Sequence, residues 1–444
     1  MKTKSILAVL LVLLSIKFAQ AQAQNSKNLS LEEVVKLALS TSDASKINGS
    51  QIDLAKNELT ITKNMQYPDL NISGQYRYLT NANVNLQIPL SSPESSDGSS
   101  EQTSSSPDVN GLLIGSADVS LPIFSGFKLK NSVSASENKL QASIFNAANE
   151  QEKLALQAIQ MYLSLYKANA TIDLVKDNLK SADQRVKDFT NMEENGLLAR
   201  NDLLKAQLQQ ANIELSLANA KKNARILNYN LNALLKLPED TTINTDVSAI
   251  TPIAATLPNI SQRNDLQALN YQEEALQDQI KIAKGDYYPS LALVGGYIAL
   301  DLNNALTVTN AMNVGVGLSY NVSSLFKTKA KVKLAESQAQ EMNYRIDQAT
   351  SQAQVNAQNA LAEYNLALET FEVYEVSEEQ AVENYRIVKD KYDNGLSDTN
   401  DLLEADVQQL QTRINLAYAK ADITQKYYEL LSAEGALTNQ FSQN

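Results

Sequence analysis

The chain of 444 residues carries 38 Lys and Arg against 50 Asp and Glu, a formal net charge of -12, and it contains no Cys, His or Trp. Those absences exclude Cys/His zinc sites, thiolate nucleophiles, Ser-His-Asp relays and imidazole general bases; with no Gly-rich phosphate loop either, the chain offers no catalytic, cofactor or metal residues. Only 14 Gly and 9 Pro punctuate the sequence, so long uninterrupted elements are expected rather than several compact domains.

Lys2 and Lys4 precede an apolar run, Ile6 to Ile16, and then Ala19-Gln20-Ala21. Residues 1–21 therefore read as a cleaved secretory signal peptide, with Ala23 as the other cleavage position. Loss of Lys2, Lys4 and Lys17 would move the net charge from -12 to -15. So acidic a chain makes nucleic acid an unsuitable partner. Without Cys, disulfides and an N-terminal lipid anchor are both excluded. No later segment approaches 18 consecutive apolar residues, so no membrane-spanning helix is expected.

From residue 22 to 444 the expected organisation is two structural repeats, about 30–236 and 262–435, with a connector at about 237–261. Ser30-Leu31-Glu32-Glu33 is a capping box that opens a helix running to about Tyr67, where Pro68 stops it. Leu70, Ile72, Gly74, Tyr76 and Tyr78 then alternate with Asn71, Ser73, Gln75 and Arg77. That period of two marks a strand at about 70–79 with one apolar and one polar face. The Ser-rich tract Ser91 to Asp108 follows as an expected surface loop, and a second alternating strand covers about 112–121.

Between Lys128 and Glu194 there is neither Gly nor Pro, and a helix of that length would run about 100 Å. Apolar residues such as Leu154, Ile159, Leu163 and Tyr166 recur along it without becoming continuous, as in a coiled-coil face. Asn195-Gly196 supplies its C-terminal cap, and Asn201 or Asp202 is placed to cap the return helix to about Lys236. Pro238, Pro252 and Pro258 mark the connector. The second repeat has a helix from about Gln262, strands at about 290–300 and 311–321 joined by Asp301 to Asn310, a long helix from Lys327, the Asn394-Gly395 turn and a return helix to about Gly435.

The repeat is explicit in the letters. NGLLARNDLLKAQLQQ, residues 195–210, matches NGLSDTNDLLEADVQQ, residues 394–409, at 10 of 16 positions with an offset of 199. Tyr67-Pro68-Asp69-Leu70 matches Tyr288-Pro289-Ser290-Leu291 at an offset of 221, and the 22 extra residues of the first half fall around the Ser-rich tract.

Strands of about ten residues suit a tilted transmembrane β-strand, and Tyr67, Phe124, Phe127, Tyr287, Tyr288 and Phe326 sit where an interfacial aromatic girdle would lie. The alternative is a soluble four-stranded sheet packed on helices. Four strands cannot close a membrane barrel and lipid tolerates no open edge, so membrane strands require several chains to share one barrel. Two chains would give a filled interior of eight strands, and three would give twelve strands with a lumen. Asn71, Ser73, Arg77, Asp118, Ser120 and Asn313 would make that interior polar.

The whole pattern resembles the TolC-like outer-membrane efflux family. The residues that carry the likeness are LSLEEVVKLAL near the start, YPDL and YYPSL before the strands, LPIFSGFK, LLKLPED, RNDL and both NGL turns, in order and repeated twice. The resemblance implies a mainly α fold with a small antiparallel β part. Long coiled-coil hairpins and four transmembrane β-strands per chain would form a trimeric channel-tunnel in the outer membrane, extending into the periplasm. It also implies passive exit for tripartite efflux or type I secretion, with a periplasmic adaptor and an inner-membrane transporter as partners. Asn195, Gly196, Leu197, Asn394, Gly395 and Leu396 match the adaptor-docking tips; read alone they are helix-hairpin turns, which leaves the apolar Leu at each unexplained. Asp401, Glu404 and Asp202 match the acidic entrance positions, and Tyr392 the aromatic gate position. Read alone, the acids suit a solvated helix N-terminus. Ser397 stands where family members carry a basic partner. A periplasmic coiled-coil scaffold without a pore is the alternative function, and it needs no alternating strands with aromatic borders.

Overall fold

The computed structural model describes residues 26–82, 109–246 and 259–442. The expected signal segment, the Ser-rich tract Ser91 to Asp108 and the middle of the connector lie outside the described residues. In chain order the elements are β1 (Ser26–Asn28), α1 (Leu31–Thr41), α2 (Asp43–Asn64), β2 (Asp69–Ala82), β3 (Val109–Phe124), α3 (Lys128–Glu194), α4 (Arg200–Leu235), β4 (Thr242–Asn244) and α5 (Asn264–Lys284). A 3₁₀ turn at Gly285–Tyr287 precedes β5 (Ser290–Leu302), β6 (Leu306–Ser319), α6 (Ser324–Asp393), α7 (Thr399–Glu434) and α8 (Leu437–Ser442). The chain is mainly helical with a small antiparallel sheet, and no described helix is long and apolar enough to cross a membrane.

Two compact units are present, one made of residues up to 52, 143–268 and 345 onward, the other of residues 53–142 and 269–344. In the first unit the capping box is complete. Ser30 Oγ accepts from the Glu33 N–H at 3.2 Å and Glu33 Oε2 accepts from the Ser30 N–H at 2.8 Å. The expected single helix from Ser30 to Tyr67 is instead two, broken at Ser42, whose ψ of 153° is extended. Ser40 and Thr41 each donate to carbonyls one turn back, Thr41 also donates to the Leu235 carbonyl at 3.0 Å, and Ser42 Oγ accepts from the Ser45 N–H. Four successive short polar side chains, Ser40 to Asp43, compete for the backbone and end the helix.

Val34, Val35 and Ala38 of α1 pack on Ala155, Ile159, Tyr162 and Leu163 of α3 and Leu231 and Leu235 of α4. Tyr162 lies wholly inside this core, and its hydroxyl donates to the Leu29 carbonyl and accepts from the Asp246 N–H, each at 2.8 Å. Both polar demands of a buried phenol are thereby met. The same tyrosine holds the parallel pair β1 and β4 in place.

The second unit is built on the sheet β2-β3-β5-β6, antiparallel throughout, with β2 and β6 as its edges. One register row runs Ile72, Ala117, Tyr297, Met312; the next runs Asn71, Asp118, Gly296, Asn313. Because successive residues face opposite sides, the first face also carries Leu70, Val119, Val314 and Leu318, and it is exposed: Val314 at 83% and Met312 at 81%. Asn71, Ser73, Arg77, Asp118, Ser120 and Asn313 share the other face, where Ser73, Ser116 and Asp118 are linked by hydrogen bonds of 2.9 and 2.7 Å. That face is not polar throughout, since Ile114, Val294, Ile298 and Leu300 also lie on it. The short connection Asp301 to Asn310 expected from the sequence is shorter still, the turn Asn303–Ala305. Asn304 takes a φ of 60° and Thr307 Oγ1 donates to Asp301 Oδ1 at 2.6 Å, which lets Leu306 to Asn310 extend β6.

Candidate tip and entrance site

α3 and α6 both end in the same turn. Gly196 and Gly395 adopt φ of 71° and 72°. The Leu197 N–H donates to the Met192 carbonyl and the Leu396 N–H to the Lys391 carbonyl, each at 2.8 Å. The Gly196 and Gly395 N–H groups donate to the Glu193 and Tyr392 carbonyls, each at 2.9 Å. This paired bonding closes the last turn of each helix, and only a residue free to take positive φ fits at the glycine. Asn195 and Asn394 add side-chain bonds to the Asn191 and Asp390 carbonyls. What the turn does not demand is a large apolar side chain after the glycine, yet Leu197 is 74% exposed and Leu396 is 78% exposed.

Beyond the turns the repeats diverge. Asp398 caps α7 by accepting from the Asp401 N–H at 3.0 Å, and Ser397 Oγ donates to Asp401 Oδ2 at 2.8 Å. At the equivalent place in the first repeat stands Ala199, the N-cap of α4 with no side-chain bond. The cap expected from Asn201 or Asp202 is therefore not formed, because α4 begins at Arg200 and both residues already lie inside its first turn. Asp202 instead bonds Lys205, three residues on, at 3.3 Å. Glu404 replaces that lysine in the second repeat, so Asp401 and Glu404 stand three residues apart on one helix face, both exposed.

Tyr392 stacks on Phe189 with ring centroids 5.7 Å apart and packs with Leu203, Ala206 and Leu402. Burial pushes its phenol above the ordinary range, Thr399 works against that, and the charges of Asp202 and Asp393 add to it. Asp401 and Glu404 remain on the exposed side of α7, away from the packed Tyr392.

The most constrained charges here went unnoticed in the sequence. Arg185 of α3 and Asp406 of α7, 8% and 3% exposed, form an ion pair of 3.0 Å. Asn178 donates to the other Asp406 oxygen at 3.1 Å, and Arg185 also reaches the Tyr385 hydroxyl at 3.3 Å. Burial alone would weaken the Arg185 charge, but the hydrogen bond and charge of Asp406 outweigh it and hold the guanidinium firmly protonated. The repeat does contain the signal: the residues equivalent to Arg185 and Asp406 are Asn384 and Gln207, so each charge is unique to its own half. A cleft of about 450 Å³ beside the pair is lined by Phe189, Met192, Tyr385, Tyr392 and Leu402.

The family model for outer membrane efflux proteins matches residues 49–235 and 259–436. Outer membrane efflux protein BepC of Brucella suis biovar 1 is 21% identical over 328 residues, spanning 71% of this chain and 70% of BepC. Among solved structures, the outer membrane protein VceC of Vibrio cholerae superposes with a TM-score of 0.74 at 17% identity, over 91% of this chain and 96% of VceC. The CmeC outer membrane channel of Campylobacter jejuni gives 0.75 at 18% identity, over 93% of this chain and 89% of CmeC.

Proposed function

The chain belongs to the outer membrane efflux protein family, and from that membership we propose that three copies share one barrel and dock end-on against a periplasmic adaptor served by an inner-membrane transporter. The protein is an outer-membrane channel-tunnel for efflux and not an enzyme. The observation that carries the trimer is the sheet. β2 and β6 have unpaired edges, one face is exposed and apolar, and a hydrocarbon environment accepts such a sheet only when its edges are closed by further strands. Four strands from each of three chains give a barrel wide enough for a lumen. A pore-less scaffold would gain nothing from an exposed apolar sheet. Type I secretion and tripartite efflux use the same passive duct, and the transporter sets the cargo.

The docking part of the proposal rests on Leu197 and Leu396, apolar side chains at the ends of two hairpins that their own turns do not require. A Leu197→Glu/Leu396→Glu variant is expected to reach the outer membrane as a trimer while cross-linking to the adaptor of the same cells falls roughly tenfold or more, because charge is forced into an apolar contact. Unchanged cross-linking would assign both leucines to the turns alone.

A further inference from the structure

The two helices that follow directly from strands break a rule that the other long helices keep. α1, α2, α4, α5 and α7 each place Asp or Glu in the first turn, where the positive end of the helix dipole favours an anion. α3 and α6 place none there and carry lysines instead. Lys128 and Lys130 open α3; Lys327, Lys329, Lys331 and Lys333 follow the start of α6, with no Asp or Glu between residues 302 and 335. Six lysines at the ends of strands β3 and β6, in a chain of net charge -12, are a concentration against the overall trend.

Along α6 the lysines fall on two faces: Lys327 and Lys331, one turn apart, share one, while Lys329 and Lys333 share the other with the exposed Phe326. Asp286, in the turn before β5, accepts from Lys128 at 2.5 Å and from Lys331 at 2.7 Å, so the starts of α3 and α6 are tied to one carboxylate. The crossing is close: a Cβ on Gly285 would lie 2.4 Å from Lys128 Cγ, and one on Gly126 would lie 2.5 Å from the Gly285 carbonyl oxygen. These two bonds hold the Asp286 carboxyl below the ordinary range. Lys130, Lys327, Lys329 and Lys333 have no ion pair among the described residues, and all four are exposed. Asp69 stands at the start of β2, and Glu336, one turn beyond Lys333, lies 4.0 Å from Lys284. Beside the lysines lie Phe124, Phe127 and Tyr288, edge to face with centroids 5.1 and 5.7 Å apart, and the exposed Phe326. The apolar face of the sheet begins immediately beyond.

We propose that Lys130, Lys327, Lys329 and Lys333 form a collar that binds the phosphate groups of anionic phospholipids in the periplasmic leaflet of the outer membrane. The inference rests on the sheet being the membrane-spanning wall. A cation in the first turn of a helix, such as Lys130 or Lys327, is unfavourable in water, and lipid phosphates at the height of the aromatic border reverse that sign. A juxtamembrane lysine is attracted to an anionic surface. The collar is continuous with the apolar face, so a lipid whose chains lie against Leu318 and Val316 brings its headgroup to the lysines.

The test uses the full-length protein reconstituted in phosphatidylethanolamine vesicles doped with spin-labelled phosphatidylglycerol or spin-labelled phosphatidylcholine. The motionally restricted fraction of each label reports the lipids in contact with protein. Phosphatidylglycerol should be preferred about threefold or more. The preference should fall toward one in 1 M salt and in the Lys130→Gln/Lys327→Gln/Lys329→Gln/Lys333→Gln variant, which spares the Lys128–Asp286–Lys331 link. Equal restriction of both labels in the wild-type protein, or a preference that survives both salt and the variant, overturns the collar. The wild-type salt series decides the matter even if the variant does not fold. No restricted fraction for either label would show that the sheet itself does not face lipid, a failure of the membrane-wall reading and distinct from failure of the collar.

Discussion

Replacing Arg185 by Ala is expected to destabilise the tip half of the molecule by about 3–5 kcal/mol, the range for removing one partner of a buried ion pair. Asp406 would be left 3% exposed with only Asn178 as a partner, and an uncompensated carboxylate in that environment is what makes the loss large. The pair itself need not be stabilising, because two charges had to leave water to form it. A paired Arg185→Met/Asp406→Leu replacement should therefore recover most of the loss. Denaturant unfolding of the detergent-solubilised protein, followed by circular dichroism, separates the cases. If Arg185→Ala costs less than about 1 kcal/mol, water reaches Asp406 and the pair is a surface contact.

Removing both carboxylates at the start of α7 is expected to change conduction rather than stability. In a threefold assembly Asp401 and Glu404 would occur three times each near the axis, and clustered like charges raise the affinity for cations. The wild-type channel should be cation-selective and blocked by divalent or polyvalent cations added from the periplasmic side. Asp401→Ala/Glu404→Ala should weaken that block about tenfold or more while assembly is kept. The first repeat supplies the control. Asp202 is already bonded to Lys205 at 3.3 Å, so Asp202→Ala should leave block nearly unchanged. Single-channel recording in a planar bilayer measures all three proteins. Unchanged block and selectivity in the double variant would reduce Asp401 and Glu404 to a solvated helix start.

What the letters disclose depends on the range of the force. Asn195-Gly196 and Asn394-Gly395 are legible because a positive φ is a local demand that few residues satisfy. The alternation of β2 and β3 is legible because a strand sorts its side chains with period two whatever lies beyond it. The break at Ser42 is local as well, but it depends on hydroxyls competing with the helix, one of them aided by the Leu235 carbonyl 194 residues away. Leu306 to Asn310 read as a connection because the tight turn at Asn304 has no Gly to announce it. Arg185 and Asp406 lie 221 residues apart, and nothing near either residue says that it will be buried. Only their departure from the internal repeat marks them. The missing cap of α4 has the same lesson in reverse, since Asn201 and Asp202 are good capping residues two and three positions too late.

The central claim is that separate chains close one barrel through the edges of β2 and β6. The natural chain has no Cys, so engineered cysteines give a clean background. One cysteine in place of Ser73 and a second moved stepwise along β6 from Val308 to Leu318 should, on oxidation in intact outer membranes, give covalent dimers and trimers at one or two β6 positions of the polar face, two residues apart. The trimer should be the largest product, because a ring of three leaves no free edge. Monomer alone at every β6 position, or a ladder extending past three chains, would contradict the account.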